Sequence, residues 1–129
     1  MIKENGIWTI DDNEYIYVDD RILEIIKKNG KVYYCKNIVN NKRNFCVIQI
    51  EENVFICGKN LTDAKIKLIR FSFQKTFWKT MGFEINTKVS YDTAKAIFGM
   101  LKHYLKISND ISLPIKDEYT IKDIIDFTN

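Results

Sequence analysis

Polar and apolar positions alternate with a period of two near the N-terminus and give way to helical spacing toward the C-terminus. Gly6 to Ile10 and Glu14 to Val18 are short alternating runs rich in aromatic and β-branched residues. Asp11, Asp12 and Asn13 separate them, so the pair predicts a β-hairpin. Ile22, Leu23, Ile25 and Ile26 then recur at helical intervals, with Asp19 or Asp20 as an N-cap, Lys27 and Lys28 near the end and Asn29-Gly30 as a stop. That arrangement predicts a short helix. Strands are predicted over 31–39, 44–50 and 54–57, joined by polar connections at 40–43 and 51–53 in an antiparallel meander. In the middle strand Cys46, Ile48 and Ile50 share one face and Phe45, Val47 and Gln49 the other. Both faces are largely apolar, which predicts a strand covered on both sides.

From Asn60 to Met81 the spacing predicts one long helix that is apolar on two opposite sides. Ile66, Ile69, Phe73 and Phe77 form one stripe, and Ala64, Leu68, Phe71 and Trp78 the other, with Lys65, Lys67, Arg70 and Lys79 in the polar gaps. The first stripe suits a sheet. The second calls for another helix, a subunit or a partner, and Lys75 interrupts it near Trp78. After a loop or short extended segment at 82–89, Ser90 opens a second long helix. Tyr91, Ala94, Ile97, Phe98, Leu101, Tyr104 and Leu105 keep its period, and Lys95, Lys102 and Lys106 line its outer side. A connector containing Pro114 follows, and Thr120 with Asp123 predicts the capping pair of a last helix bearing Ile121, Ile124, Ile125 and Phe127.

The predicted fold is therefore α+β, in a single domain over residues 1–129. It consists of a small antiparallel β-sheet, made of a hairpin plus a three-stranded meander, with a short inserted helix. Two long C-terminal helices and a short terminal helix cover the sheet.

Composition narrows the functional classes. The chain has 129 residues, 46% of them hydrophobic and 29% charged, and no apolar run approaches the roughly 20 residues of a membrane span. The opening MIKENGIWTI has neither an apolar h-region nor a small-residue cleavage site, so a cytoplasmic location without membrane association is expected. Abundant isoleucine, lysine and asparagine reflect A/T-rich codons, pointing to a low-GC bacterium or one of its viruses. Lysine excess is discounted accordingly. Residues 1–30 carry four basic and seven acidic groups, residues 31–109 fourteen and five, and residues 110–129 two and five. A basic body of +9 between ends of −3 permits an anionic partner without demanding one.

Candidate chemistry is sparse. Cys35, Cys46 and Cys57 are eleven residues apart, each on a different predicted strand. Zinc sites use four ligands, often with CxxC pairs, so these read as buried structural thiols and no metal is expected. His103 has neither an orienting carboxylate nor a nucleophile nearby in sequence. Asp11, Asp12, Glu14, Asp19, Asp20 and Glu51-Glu52 already serve as turn formers and caps, without the acid-and-lysine convergence of two-metal hydrolysis. No catalytic residue and no cofactor are expected.

The binding candidates are basic. Lys95, Lys102 and Lys106 flank Gly99 on one helix, and Arg70, Lys75 and Lys79 lie with Trp78 on the other. Neutralising phosphates from these strips would give salt-sensitive affinity for nucleic acid or a nucleotide. Arginine is scarce here, and its planar fork matches carboxylate and phosphate. Arg43 beside Lys42 in the turn NNKRN, and Arg70 on the long helix, are therefore the foremost contact candidates. The expected function is that of a small non-enzymatic binding or inhibitory protein from a phage or mobile element. It would sequester or block a host protein, a nuclease or other nucleoprotein complex, or a nucleotide ligand. The alternatives are a homo-oligomeric structural or immunity-type protein and a direct nucleic-acid-binding module.

Overall fold

The computed structural model describes residues 1–39, 43–73 and 84–129. They fall into two compact units, Met1–Lys67 and Leu68–Asn129.

In the first unit seven strands form one antiparallel sheet in sequence order: β1 (Ile2–Glu4), β2 (Ile7–Ile10), β3 (Asn13–Val18), β4 (Arg21–Asn29), β5 (Val32–Asn37), β6 (Asn44–Glu51) and β7 (Val54–Gly58). The sheet curls into a half-barrel, bringing β3 against β7. The predicted hairpin of β2 and β3 and the strands β5 to β7 are therefore not separate pieces. What joins them is β4, where a short helix was expected.

The physical reason lies in the turn. Asp19 and Asp20 both adopt positive φ, 51° and 59°, which is the type I′ hairpin geometry and incompatible with opening a right-handed helix. The helical look of the isoleucines comes from a bulge between Ile25 and Lys27. Leu23 and Ile25 face the core, while Ile26 is the extra residue of the bulge and stands 62% exposed. Asn5-Gly6 and Asp11-Asp12 repeat the positive-φ pairing, so three two-residue turns chain β1 to β4. β6 is buried from Phe45 to Gln49, on both faces as its sequence predicts.

The core of this unit is made by Ile7, Ile16, Leu23, Tyr33, Cys35, Phe45, Val47 and Cys57, with Val18, Ile25 and Phe55 packed against it. Val32, Cys46 and Ile48 are buried on the other face of β5 and β6. The first turns of α1 (Leu61–Phe73) lie against β7. Asn60 accepts the Asp63 N–H, Asp63 accepts the Lys59 N–H, and the Lys67 ammonium donates to the Cys57 carbonyl at 3.2 Å.

The double-stripe reading of α1 is also corrected. Over Leu61 to Ser72 its buried residues are Ala64, Lys65, Leu68 and Ile69, a single face that takes members from both expected stripes. Lys65, expected in a polar gap, is 1% exposed, and Phe71 is 54% exposed. Phe77, Trp78 and the remainder of the expected helix to Met81 lie outside the described residues.

In the second unit, β8 (Lys88–Ser90) and β9 (Glu118–Thr120) pair as an antiparallel two-stranded ribbon. Each leads directly into a helix, α2 (Tyr91–Leu105) and α3 (Ile121–Phe127). The described helices span 13, 15 and 7 residues, in place of two long C-terminal ones. Ser90 caps α2, and Lys106 ends it in the left-handed region. Thr120 and Asp123 form the reciprocal capping box of α3 that their spacing predicts. Ala94, Ile97, Phe98, Leu101 and Leu105 are buried along α2, as are Ile121, Ile124 and Ile125 of α3, and Phe98 meets Phe127 edge to face at 5.4 Å.

Candidate functional site: an aromatic cleft on the outer face of the N-terminal hairpins

Because side chains alternate along a strand, the residues that are not in the core of β2, β3 and β4 share the opposite face. Ile7, Ile16 and Leu23 are in register on the core side. On the other side Lys3, Trp8, Tyr15 and Glu24 form one cross-strand row, and Tyr17 pairs with Ile22 in the next. Lys3, Trp8, Tyr15, Tyr17 and Ile22 line a cleft of about 760 Å³, together with Ile10, Ile38, Asn53, Gly6 and, from the core side, Ile16 and Phe55.

The cleft is apolar and open to solvent. Ile10, Tyr17, Ile22 and Ile38 are 40 to 60% exposed, whereas a contiguous apolar face of this kind is ordinarily covered. Gly6 shapes one end. Its φ is +83°, and a Cβ there would stand 2.9 Å from both the Asn53 Cα and the Phe55 ring, so the two turns touch backbone to backbone. The polar groups at the cleft are few. The Lys3 ammonium lies 4.9 Å from the centre of the Trp8 ring, and the Tyr17 hydroxyl donates to Asp20 at 3.3 Å.

Of the basic residues singled out from sequence, the one described in the first unit, Arg43, is not among the residues that line this cleft. Arg43 is exposed in the first unit, and its carbonyl accepts the Asn37 N–H at 2.9 Å. Arg70 is exposed on α1. Lys95, Lys102 and Lys106 do share one face of α2, but the Lys102 ammonium donates to the Ile111 carbonyl at 2.8 Å and lies over the Phe98 ring, and Lys106 is the C-cap. Lys42, Lys75, Trp78 and Lys79 lie outside the described residues.

His103 is exposed on α2 with its ring edge-on to Tyr104. The three cysteines are free and buried. Burial pushes the Cys35 thiol up to about 12 and the Cys46 thiol up to about 11, with neighbouring thiols adding to both, and raises Cys57 as well. They are protonated at neutral pH and poor nucleophiles or metal ligands. Among the described residues no group of three or more His, Cys, Asp or Glu is placed to hold a metal ion, and no helix is long and apolar enough to cross a membrane. In the second unit, a smaller recess of about 380 Å³ beside Pro114 and Tyr119 is bordered by charges already paired, Lys116 with Asp123 and Lys122 with Asp126.

Trp8, Tyr15, Tyr17 and Ile22 escape a search for charged or catalytic groups. The available signal is that β2 and β3 carry apolar residues in both phases of their alternation, Ile7 and Ile16 in one, Trp8, Tyr15 and Tyr17 in the other. Comparison of the chain with protein-family models, curated proteins and solved structures found no match.

Proposed function

We propose that this is a small non-catalytic binding protein that sequesters or blocks its partner, and that the aromatic cleft is its recognition surface. One observation carries the reading: large apolar side chains are concentrated and exposed on the face of β2 to β4 that the core does not use. Exposure of that kind is retained where something docks, because it otherwise favours aggregation. Among the described residues the lining has no carboxylate, imidazole or thiol, so it is suited to hold a group rather than to transform it. Action on a host component in the cytoplasm belongs to the same reading, supported by three cysteines kept as buried thiols.

Neutral apolar fragments screened against isotope-labelled protein test this. Hits are expected to perturb the amides of Trp8, Tyr15, Tyr17 and Ile22 and to be lost on Tyr17→Ala. Fragments that bind elsewhere or not at all, or turnover of any screened compound, would remove the reading.

Self-association is the second reading, favoured by Phe71, which is 54% exposed on α1. A monomer across a hundred-fold concentration range in light scattering would eliminate it. Direct nucleic-acid binding has less support, because the unit that holds the cleft carries eleven basic and ten acidic residues, close to neutrality.

A further inference from the structure

We infer that the cleft takes a small planar aromatic anion, with its ring on the Trp8 and Tyr15 platform and its charge against Lys3. The inference rests on the binding reading above and names the ligand class.

A volume of about 760 Å³ falls in the range of sites for single small organic molecules, about 300 to 1,000 Å³. Trp8, Tyr15 and Tyr17 supply flat, weakly hydrated surface for ring stacking. Charge then selects among aromatic ligands. An aromatic lining by itself also suits a quaternary ammonium group. Here the Trp8 ring already carries the Lys3 ammonium at 4.9 Å, so a second cation meets repulsion. Among the described residues of the lining, Lys3 alone is charged.

Charge also orients the ligand. Lys3 stands at the β1 edge of its cross-strand row, whereas Glu24 ends the same row on β4 and Asp20 holds the Tyr17 hydroxyl. A negative group is thus attracted toward β1 and repelled from the β3–β4 side. The ammonium remains in contact with water, so its contribution is a preference added to apolar burial rather than the main source of affinity.

The test compares sodium 1-naphthoate, neutral 1-naphthamide and phenyltrimethylammonium by calorimetry and amide-shift mapping. Both naphthalene probes are expected to perturb Trp8, Tyr15 and Tyr17, with naphthoate tighter by about three-fold at low salt. That margin should vanish in Lys3→Met, persist in Lys3→Arg and shrink as sodium chloride rises. Equal affinities, a margin that survives Lys3→Met, or tighter binding of the ammonium probe would overturn the inference and leave the cleft as a binding surface. Failure of every probe to perturb the cleft would overturn both.

Discussion

The Tyr33 hydroxyl donates a 2.7 Å hydrogen bond to Gln49 Oε1, between residues only 7% and 9% exposed. Gln49 Nε2 in turn donates to the Asn5 carbonyl at 2.7 Å and to the Glu51 carbonyl at 3.3 Å. The glutamine thus ties the β1–β2 turn to β6 across the curl of the sheet. Tyr33→Phe leaves its buried acceptor without that donor and should cost about 1 to 3 kcal/mol in urea unfolding. Gln49→Leu should cost a similar amount and couple to Tyr33→Phe in a double-mutant cycle. Additive effects would mean that the two residues do not act as one clasp.

Gly58 and Gly99 should respond in opposite directions to the same substitution. A Cβ on Gly58 would stand 2.8 Å from the Ala64 Cα, and closer still to the Ala64 nitrogen, so the start of α1 would have to move off β7. Gly58→Ala should destabilise by about 1 to 3 kcal/mol. Around Gly99, exposed in the middle of α2, nothing lies within 4 Å of an added Cβ. Gly99→Ala should stabilise by about 0.5 to 1 kcal/mol through helix propensity. Melting temperatures of the two variants check both signs.

Stability should decline on the alkaline side. Burial raises the Cys35 and Cys46 thiols from 9.0 to about 12 and about 11. Below pH 9 both folded and unfolded chains keep these protons. Above it the unfolded chain releases them and the folded chain does not, so the unfolded state gains until the folded values are passed. The melting temperature is therefore expected to be level from pH 7 to about 8.5 and to fall beyond it. Cys35→Ala should flatten that fall, and native thiols should react slowly with a disulfide reagent at pH 8. Rapid labelling of all three in the folded protein would contradict this.

At the other end of the scale, Asp123 is held below its ordinary 3.8, first by the Thr120 N–H and then by the Thr120 hydroxyl. Its contribution is present above that value and lost as pH falls through the folded one. Asp123→Ala should cost about 1 kcal/mol at neutral pH by removing one arm of the capping box. The gap to wild type should close as the carboxyl protonates in acid. A gap unchanged at pH 2.5 would assign the cost to something other than the cap.

Local chemistry made some elements readable and left others hidden. Ser90 and the Thr120–Asp123 pair are short-range hydrogen-bonding devices, so helix starts there follow from neighbouring residues alone. The spacing of the three cysteines reflects the repeat of β5, β6 and β7. Asp19-Asp20 is different, because the same side chains serve a helix N-cap or a type I′ turn, and strand pairing on both sides decides between them. The three-residue β1 carries Lys3 and Glu4 and has no alternation to betray it, although Asn5-Gly6 is a strong turn signal. Burial of Lys65 is a tertiary outcome that periodicity assigns to a polar gap. The cleft stayed hidden for a related reason. Trp8, Tyr15, Tyr17 and Ile22 become one surface only after the registers of β2, β3 and β4 are set.

The sequence-ordered sheet also dictates how the first unit folds. Every strand pair joins neighbours along the chain, and five of its hairpins close through two residues. Loop-closure entropy is therefore small at each step, and the strands can zip one after another instead of awaiting a distant partner. The Asn5–Gln49 hydrogen bond spans 44 residues, so it forms after the hairpins that bring its ends together. The order of assembly runs from turns to curl, and the unit should fold faster than a Greek-key sheet of the same length.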